Sequence, residues 1–237
     1  MMIKYKRILL KLSGEALMGK KGYGIDEEKL TDYARQISEI HEMGVEIGIV
    51  VGGGNIFRGL TGIKKGVDRI KGDYMGMLAT VINGLAMQSV LEHSCTTARL
   101  FTAISMTPVG TLFSEFDVLK ALQNGEVAIF TFGTGNPFFT TDTAASLRAV
   151  QIKAEVLLKG TRVDGIYTTD PEKDKNAIRF DEISFDAALE QQLHVMDLTA
   201  FTLCKENNLP ILVFNINTPG NLKKIVSGSK IGTLVKN

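Results

Sequence analysis

The pattern that most constrains this chain is an alternation. Short apolar runs rich in Val, Ile and Leu recur at residues 7–12, 45–51, 100–104, 127–132, 156–159 and 211–214, and stretches with helical spacing separate them. Leu30, Ala34, Ile37, Ile40 and Met43 repeat every three or four positions. Asp26 stands where an N-cap belongs, Glu27 and Glu28 fall in the first turn that the helix dipole favours for acids, and Gly44 is a natural C′ residue. A longer helix is predicted from about residue 73 to 92, with Met77, Leu78, Val81, Ile82 and Leu85 turned inward and Met75, Met77 and Met87 as core filling. Two more helices open near Thr141 and Met196. Strands and helices in this order predict an α/β fold in one domain spanning residues 1–237. Polarity rises only across residues 170–181, which read as an exposed loop.

The 237 residues carry 27 Lys+Arg against 26 Asp+Glu, a net charge of +1. Gripping a nucleic acid rests on a surplus of cations, so that function is not expected. Small anions need only a few oriented amides and remain open. Cys95 and Cys204 show neither a C-x-x-C spacing nor a His partner, so both are read as buried small residues, with no disulfide or zinc site. No apolar run reaches the roughly 18 residues of a membrane span. The basic start is interrupted by Lys11 and reads as the first strand of a cytoplasmic protein.

In open α/β sheets ligands bind beyond the carboxyl ends of the strands. Four of the predicted strands end there in glycine: Lys11-Leu12-Ser13-Gly14, Gly52-Gly53-Gly54-Asn55-Ile56-Phe57-Arg58-Gly59, Gly133-Thr134-Gly135-Asn136-Pro137, and Lys159-Gly160-Thr161. Glycine lets successive N–H groups converge on an anion, and a nearby Lys or Arg completes a phosphate site. One such turn alone is usually just a turn; four at strand ends point to phosphate binding. Residues 14–21 approach the G-x-x-x-x-G-K-[ST] pattern, but Lys21 stands in place of the hydroxyl. Gly133-x-Gly135 fails as a dinucleotide fingerprint because Phe138 occupies the third glycine position.

These segments, with Gly72-Asp73-Tyr74-Met75-Gly76-Met77-Leu78-Ala79-Thr80, Phe138-Phe139-Thr140-Thr141-Asp142, Val163-Asp164-Gly165-Ile166-Tyr167 and Val195-Met196-Asp197-Leu198, make the chain resemble the bacterial UMP kinases of the amino-acid-kinase superfamily nearly end to end. The resemblance implies a three-layer α-β-α sandwich around a mainly parallel sheet. It implies the reaction ATP + UMP → ADP + UDP with Mg²⁺ in the cytoplasm, in pyrimidine nucleotide synthesis, by a homohexamer that GTP activates and UTP inhibits. The implied catalytic residues are Lys11, Asp142 and Lys159. ATP is assigned to Lys11, Leu12, Ser13, Gly14, Gly54, Arg58, Thr161, Tyr167 and Asp170, mainly in the C-terminal part. UMP is assigned to Gly53, Asp73, Thr134, Gly135, Asn136, Pro137, Phe138, Phe139, Thr140 and Thr141, mainly in the N-terminal part. Gly19, Lys20, Lys21, Gly22, Tyr23 and Gly24 overlay the segment linked to GTP, whereas residues 104–122 fit the pattern loosely. The rival readings are a superfamily kinase for a carboxylate or carbamate and a nucleotide-binding relative without turnover.

The residue types suit phosphoryl transfer. A nucleotide phosphate with a second pKa of about 6 is mostly dianionic at neutral pH and needs no general base. Accordingly His41, His93 and His194 fall outside the loops and read as structural. Asp73 suits two vicinal ribose hydroxyls, and Tyr167 suits stacking on adenine. Asp142 and Asp197 each open a helix, so each is either a cap or an acid that orients the lysines or the metal; capping is the simpler reading of Asp197.

Overall fold

The computed structural model describes residues 3–57, 66, 68–169, 171, 173–174, 176–193 and 195–237. At its centre lies β1 (Arg7–Leu12), with β2 (Glu46–Val51) on one side and β6 (Val156–Thr161) on the other, both parallel to it. The sheet grows outward from β2 through β5 (Val127–Thr131), β3 (Ala98–Thr102) and β4 (Thr111–Leu112). From β6 it grows through β10 (Ile211–Asn215), β11 (Thr233–Lys236) and β9 (Glu182–Ser184). Within this nine-stranded sheet the β10–β11 pairing is antiparallel. A separate ribbon pairs β7 (Ile166–Tyr167) with β8 (Arg179–Phe180). The strand order reverses at β1, so a crevice opens at its carboxyl end.

Alternate side chains of the central strands enter different cores. Ile8, Leu10 and Leu12 of β1 join Val156 and Leu158 in one apolar cluster with α2 (Glu27–Glu42), α3 (Arg69–His93) and α8 (Asn221–Val226). Leu9 and Leu157 face the other way, toward α4 (Glu115–Gln123), α5 (Thr141–Gln151), α6 (Phe185–Glu190) and α7 (Leu198–Glu206). That alternation of buried side chains, strand by strand, makes the three layers. The predicted cap holds at α2, where the Asp26 carboxylate accepts from the Glu28 and Lys29 amides.

Helix α3 departs from expectation. Met77, Val81 and Met87 are buried, but Leu78, Ile82 and Leu85 are 46%, 51% and 41% exposed, and Met75 is exposed as well. The helix is apolar around much of its circumference, so periodicity could not say which stripe meets the sheet. Its length and hydropathy would suffice to cross a bilayer, yet its buried stripe packs on β2, β3 and β5. Cys95 is also corrected: it is exposed, in the turn that follows α3, while Cys204 is buried as expected.

Candidate active site

Lys11 and Lys159 stand opposite one another in the β1–β6 ladder. Both lie at odd positions with Leu9 and Leu157, so they point toward the layer that contains α5. There Asp142, in the first turn of α5, sits between them: Lys11 Nζ is 2.7 Å from Oδ1 and Lys159 Nζ is 2.7 Å from Oδ2. Asp142 is not the cap of its helix. Thr140 is, accepting from the Asp142 and Thr143 amides, which frees the Asp142 carboxylate for the lysines. Burial disfavours charge on Asp142, but the two ammonium groups outweigh it and hold the carboxyl below its usual range. Burial likewise pushes Lys159 down, with Asp142 opposing and Lys11 reinforcing the shift. Asp197 does cap α7, through the Ala200 amide, and it also accepts from the Thr140 and Thr143 hydroxyls. It thereby ties the starts of α5 and α7 together.

The loops beyond β1 and β2 interlock. Ser13 caps α1 (Gly14–Leu17), and the Gly52 amide donates to the Leu12 carbonyl. A Cβ on Gly14 would lie 2.6 Å from the Gly52 oxygen and 2.7 Å from the Gly54 nitrogen, so these backbones meet only because position 14 has no side chain. Leu12 itself is fully buried in the core and offers the loop only its backbone. Residues 19–24 form turns beside this loop, tied to it by reciprocal bonds between Gly24 and Asn55.

One face of α3 fastens the loops after β2 and β5. Asn83 is fully buried, donates to the Gly52 carbonyl at 2.7 Å and exchanges amide hydrogen bonds with Asn55. Thr80 accepts from the Phe132 amide at 2.9 Å. Asp73 accepts from the Phe138 amide at 2.8 Å while Arg69 pairs with it. Gly53 rests against the helix, where a Cβ would lie 2.6 Å from the Gly76 oxygen. Beyond β5 the chain turns through left-handed Gly133 and Gly135, and the Thr134 hydroxyl bonds the Asn136 backbone. Pro137 follows, and Phe138 and Phe139 are exposed. Asn83 escaped the sequence reading, and Thr80 entered it only as the last residue of the motif that begins at Gly72, with no role; a polar residue at a core position of an apolar helix was the signal for both.

Two adjoining openings share Lys159 and Thr161. One, of about 240 Å³, is lined by Lys11, Ser13, Glu15 and Arg162; the other, of about 480 Å³, extends along Tyr167, Gln191, Gln192 and Leu193. Tyr167 donates its hydroxyl to Asp164, which also pairs with Arg179. Gln191 and Gln192 were not anticipated, because their segment matches no phosphate pattern; Arg162 was passed over although it directly follows the Lys159-Gly160-Thr161 turn. Arg58, Asp170 and His194 lie outside the described residues. His41 bonds the Gly125 carbonyl and His93 ends α3, both remote from the lysines.

A switch-point crevice with two lysines on neighbouring strands, an acid between them and glycine loops around them defines a phosphoryl-transfer fold. Residues 6–215 match the amino acid kinase family, and the chain belongs to it. Over 236 residues, covering 100% of each chain, it is 62% identical to the uridylate kinase of Bacteroides thetaiotaomicron. The uridylate kinase of Porphyromonas gingivalis is 58% identical over 100% of this chain and 99% of its own. Among solved structures, the UMP kinase of Bacillus anthracis superposes with a TM-score of 0.95 at 36% identity, covering 98% of this chain and 96% of its own. That of Ureaplasma parvum gives 0.93 at 39%, covering 99% and 100%.

Proposed function

We propose that this chain is a UMP kinase, transferring the terminal phosphoryl group of ATP to the phosphate of UMP and supplying pyrimidine nucleotides in the cytoplasm. The observation that carries the reading is the Lys11–Asp142–Lys159 bridge at the sheet's switch point. Phosphoryl transfer needs alignment and positive charge on the moving oxygens. Asp142 holds both ammonium groups in the cleft before substrate arrives, and the two cations then receive the charge of the transferring group. The acceptor phosphate is itself the nucleophile, which fits a centre assembled without histidine.

ATP lies along the two openings, with its phosphates at Lys11, Ser13, Gly14 and Gly54 and its base near Thr161 and Tyr167; Arg58 and Asp170 belong to the same set. UMP lies across β1 at Gly53, Asp73 and the loop from Thr134 to Thr141. One domain thus carries the acceptor mainly in its N-terminal part and the donor mainly in its C-terminal part. Among the described residues no group of three metal-ligating side chains occurs. Asp142 Oδ1 is buried and meets Lys11 at 2.7 Å, and a carboxylate oxygen can accept a second contact, so it could hold a metal as well. This suits Mg²⁺ arriving on the nucleotide phosphates, as that ion commonly does, where it would neutralise phosphate charge. The exposed stripe of Tyr74, Leu78, Ile82 and Leu85 along α3 supports packing against a second copy, consistent with a homohexamer. The contact of Gly24 with Asn55 supports a route from residues 19–24 to the phosphate loop for GTP activation, with UTP as inhibitor.

The test is ADP release from Mg·ATP with UMP, CMP, dTMP, glutamate and carbamate side by side. UMP-selective turnover is expected. Turnover with glutamate or carbamate alone assigns the chain to another branch, and turnover with no acceptor refutes the enzyme reading.

A further inference from the structure

Arg148 lies on α5, two turns beyond Asp142, and is 6% exposed. Its guanidinium carbon sits 3.9 Å from the centroid of the Phe113 ring, and one nitrogen donates to Gln151 at 2.7 Å. Burial pushes it down to about 10, so it stays cationic at neutral pH, and among the described residues no acid offsets that burial. A buried cation without a counter-ion is destabilising, and a neutral residue of similar volume would fold at least as well. Such a charge calls for a partner from outside the chain.

Arg148 lines a cavity of about 10 Å³ together with Thr80, Gly133 and Thr141. Gly133 lies near the start of the loop after β5, and Thr141, the first residue of α5, just past its end. A space of that size admits about one water and no phosphate group. Arg148 therefore stands behind the loop without touching what the loop binds. We propose that Arg148 is a positioning residue for the acceptor nucleotide: seated on Phe113, its uncompensated charge makes the 133–141 loop attractive to a phosphate dianion, and the substrate supplies the missing counter-ion. The proposal rests on the acceptor reading of that loop.

The test is calorimetric titration of UMP and of uridine into the wild type and into Arg148→Met, Arg148→Lys and Phe113→Leu. In R148M, UMP affinity should fall about tenfold or more, the effect of removing one cation from the surroundings of a phosphate dianion, with uridine changed less than about twofold. R148K keeps the charge without the flat stack and should restore most of the UMP affinity. F113L keeps the charge without the ring and should lower the Tm while holding UMP affinity within about threefold. Equal weakening of UMP and uridine in R148M, or no weakening of UMP, would overturn the proposal. Should R148M fail to fold, R148K and F113L decide: UMP affinity that tracks Tm instead of charge overturns it. A wild type that binds no UMP would instead overturn the acceptor reading beneath it.

Discussion

Replacing Asp142 with Asn keeps the shape of the side chain and removes the charge that holds two ammonium groups together. Breaking a buried ion pair from one side costs about 3–5 kcal/mol where the stranded charge stays dry. Here the Lys11 and Lys159 side chains are 12% and 14% exposed, so some water reaches them. Discounting for that access gives about 2–3 kcal/mol, a fall in Tm of roughly 4–12 °C for a chain of this length. ATP should repair part of the damage, since its phosphates place negative charge where the carboxylate stood. In differential scanning fluorimetry, D142N should start lower than the wild type and gain more on saturation with ATP. Turnover should fall about 100-fold or more, because the lysines lose their alignment. The pH dependence follows from the depressed carboxyl of Asp142: its stabilisation is complete above the unfolded pKa of about 3.9 and is lost as pH falls through the lower folded value. The Tm gap between wild type and D142N should therefore begin to narrow as pH falls below about 4 and close only below the depressed folded value. A D142N protein with wild-type Tm at pH 7, or with no larger response to ATP, would refute the bridge as the organiser of the cleft.

Gly14→Ala forces a Cβ against the Gly52 and Gly54 backbones, so it should destabilise by about 1–3 kcal/mol and raise the KM for ATP, both measurable by thermal melts and steady-state kinetics. Asp73→Asn removes a charged acceptor from the Phe138 amide and from Arg69; the KM for UMP should rise about tenfold with the KM for ATP within about twofold, and equal changes in both would count against it. Ile82→Glu puts a charge in the exposed stripe of α3 and should yield smaller species in sedimentation velocity, with the fold intact by circular dichroism.

The central strands were legible because, covered on both faces, they are near-continuous apolar runs; β1 matches residue for residue, and β2, β5 and β10 differ by one residue at one end. The strands left unread are short: β4, β7 and β8 span two residues each, β9 three and β11 four, too few for a period to register. The first-turn position of Asp142 suggested a cap, and only the geometry shows that Thr140 takes that task. Lys11 and Lys159 were singled out separately, but their meeting depends on ladder register between strands almost 150 positions apart, which no local pattern encodes. The facing of α3 failed for the opposite reason: two apolar stripes compete on one helix, and tertiary packing chose between them.

That helix also determines how the site can come apart. Asp73, Thr80 and Asn83 hold the loops after β2 and β5 from one face of α3 across about three turns. Fraying of any one loop leaves the others anchored, whereas unwinding α3 releases them together. Helix α3 and the loops after β2 and β5 thus form one cooperative unit, whose amide hydrogens should exchange with solvent at a common opening free energy instead of loop by loop.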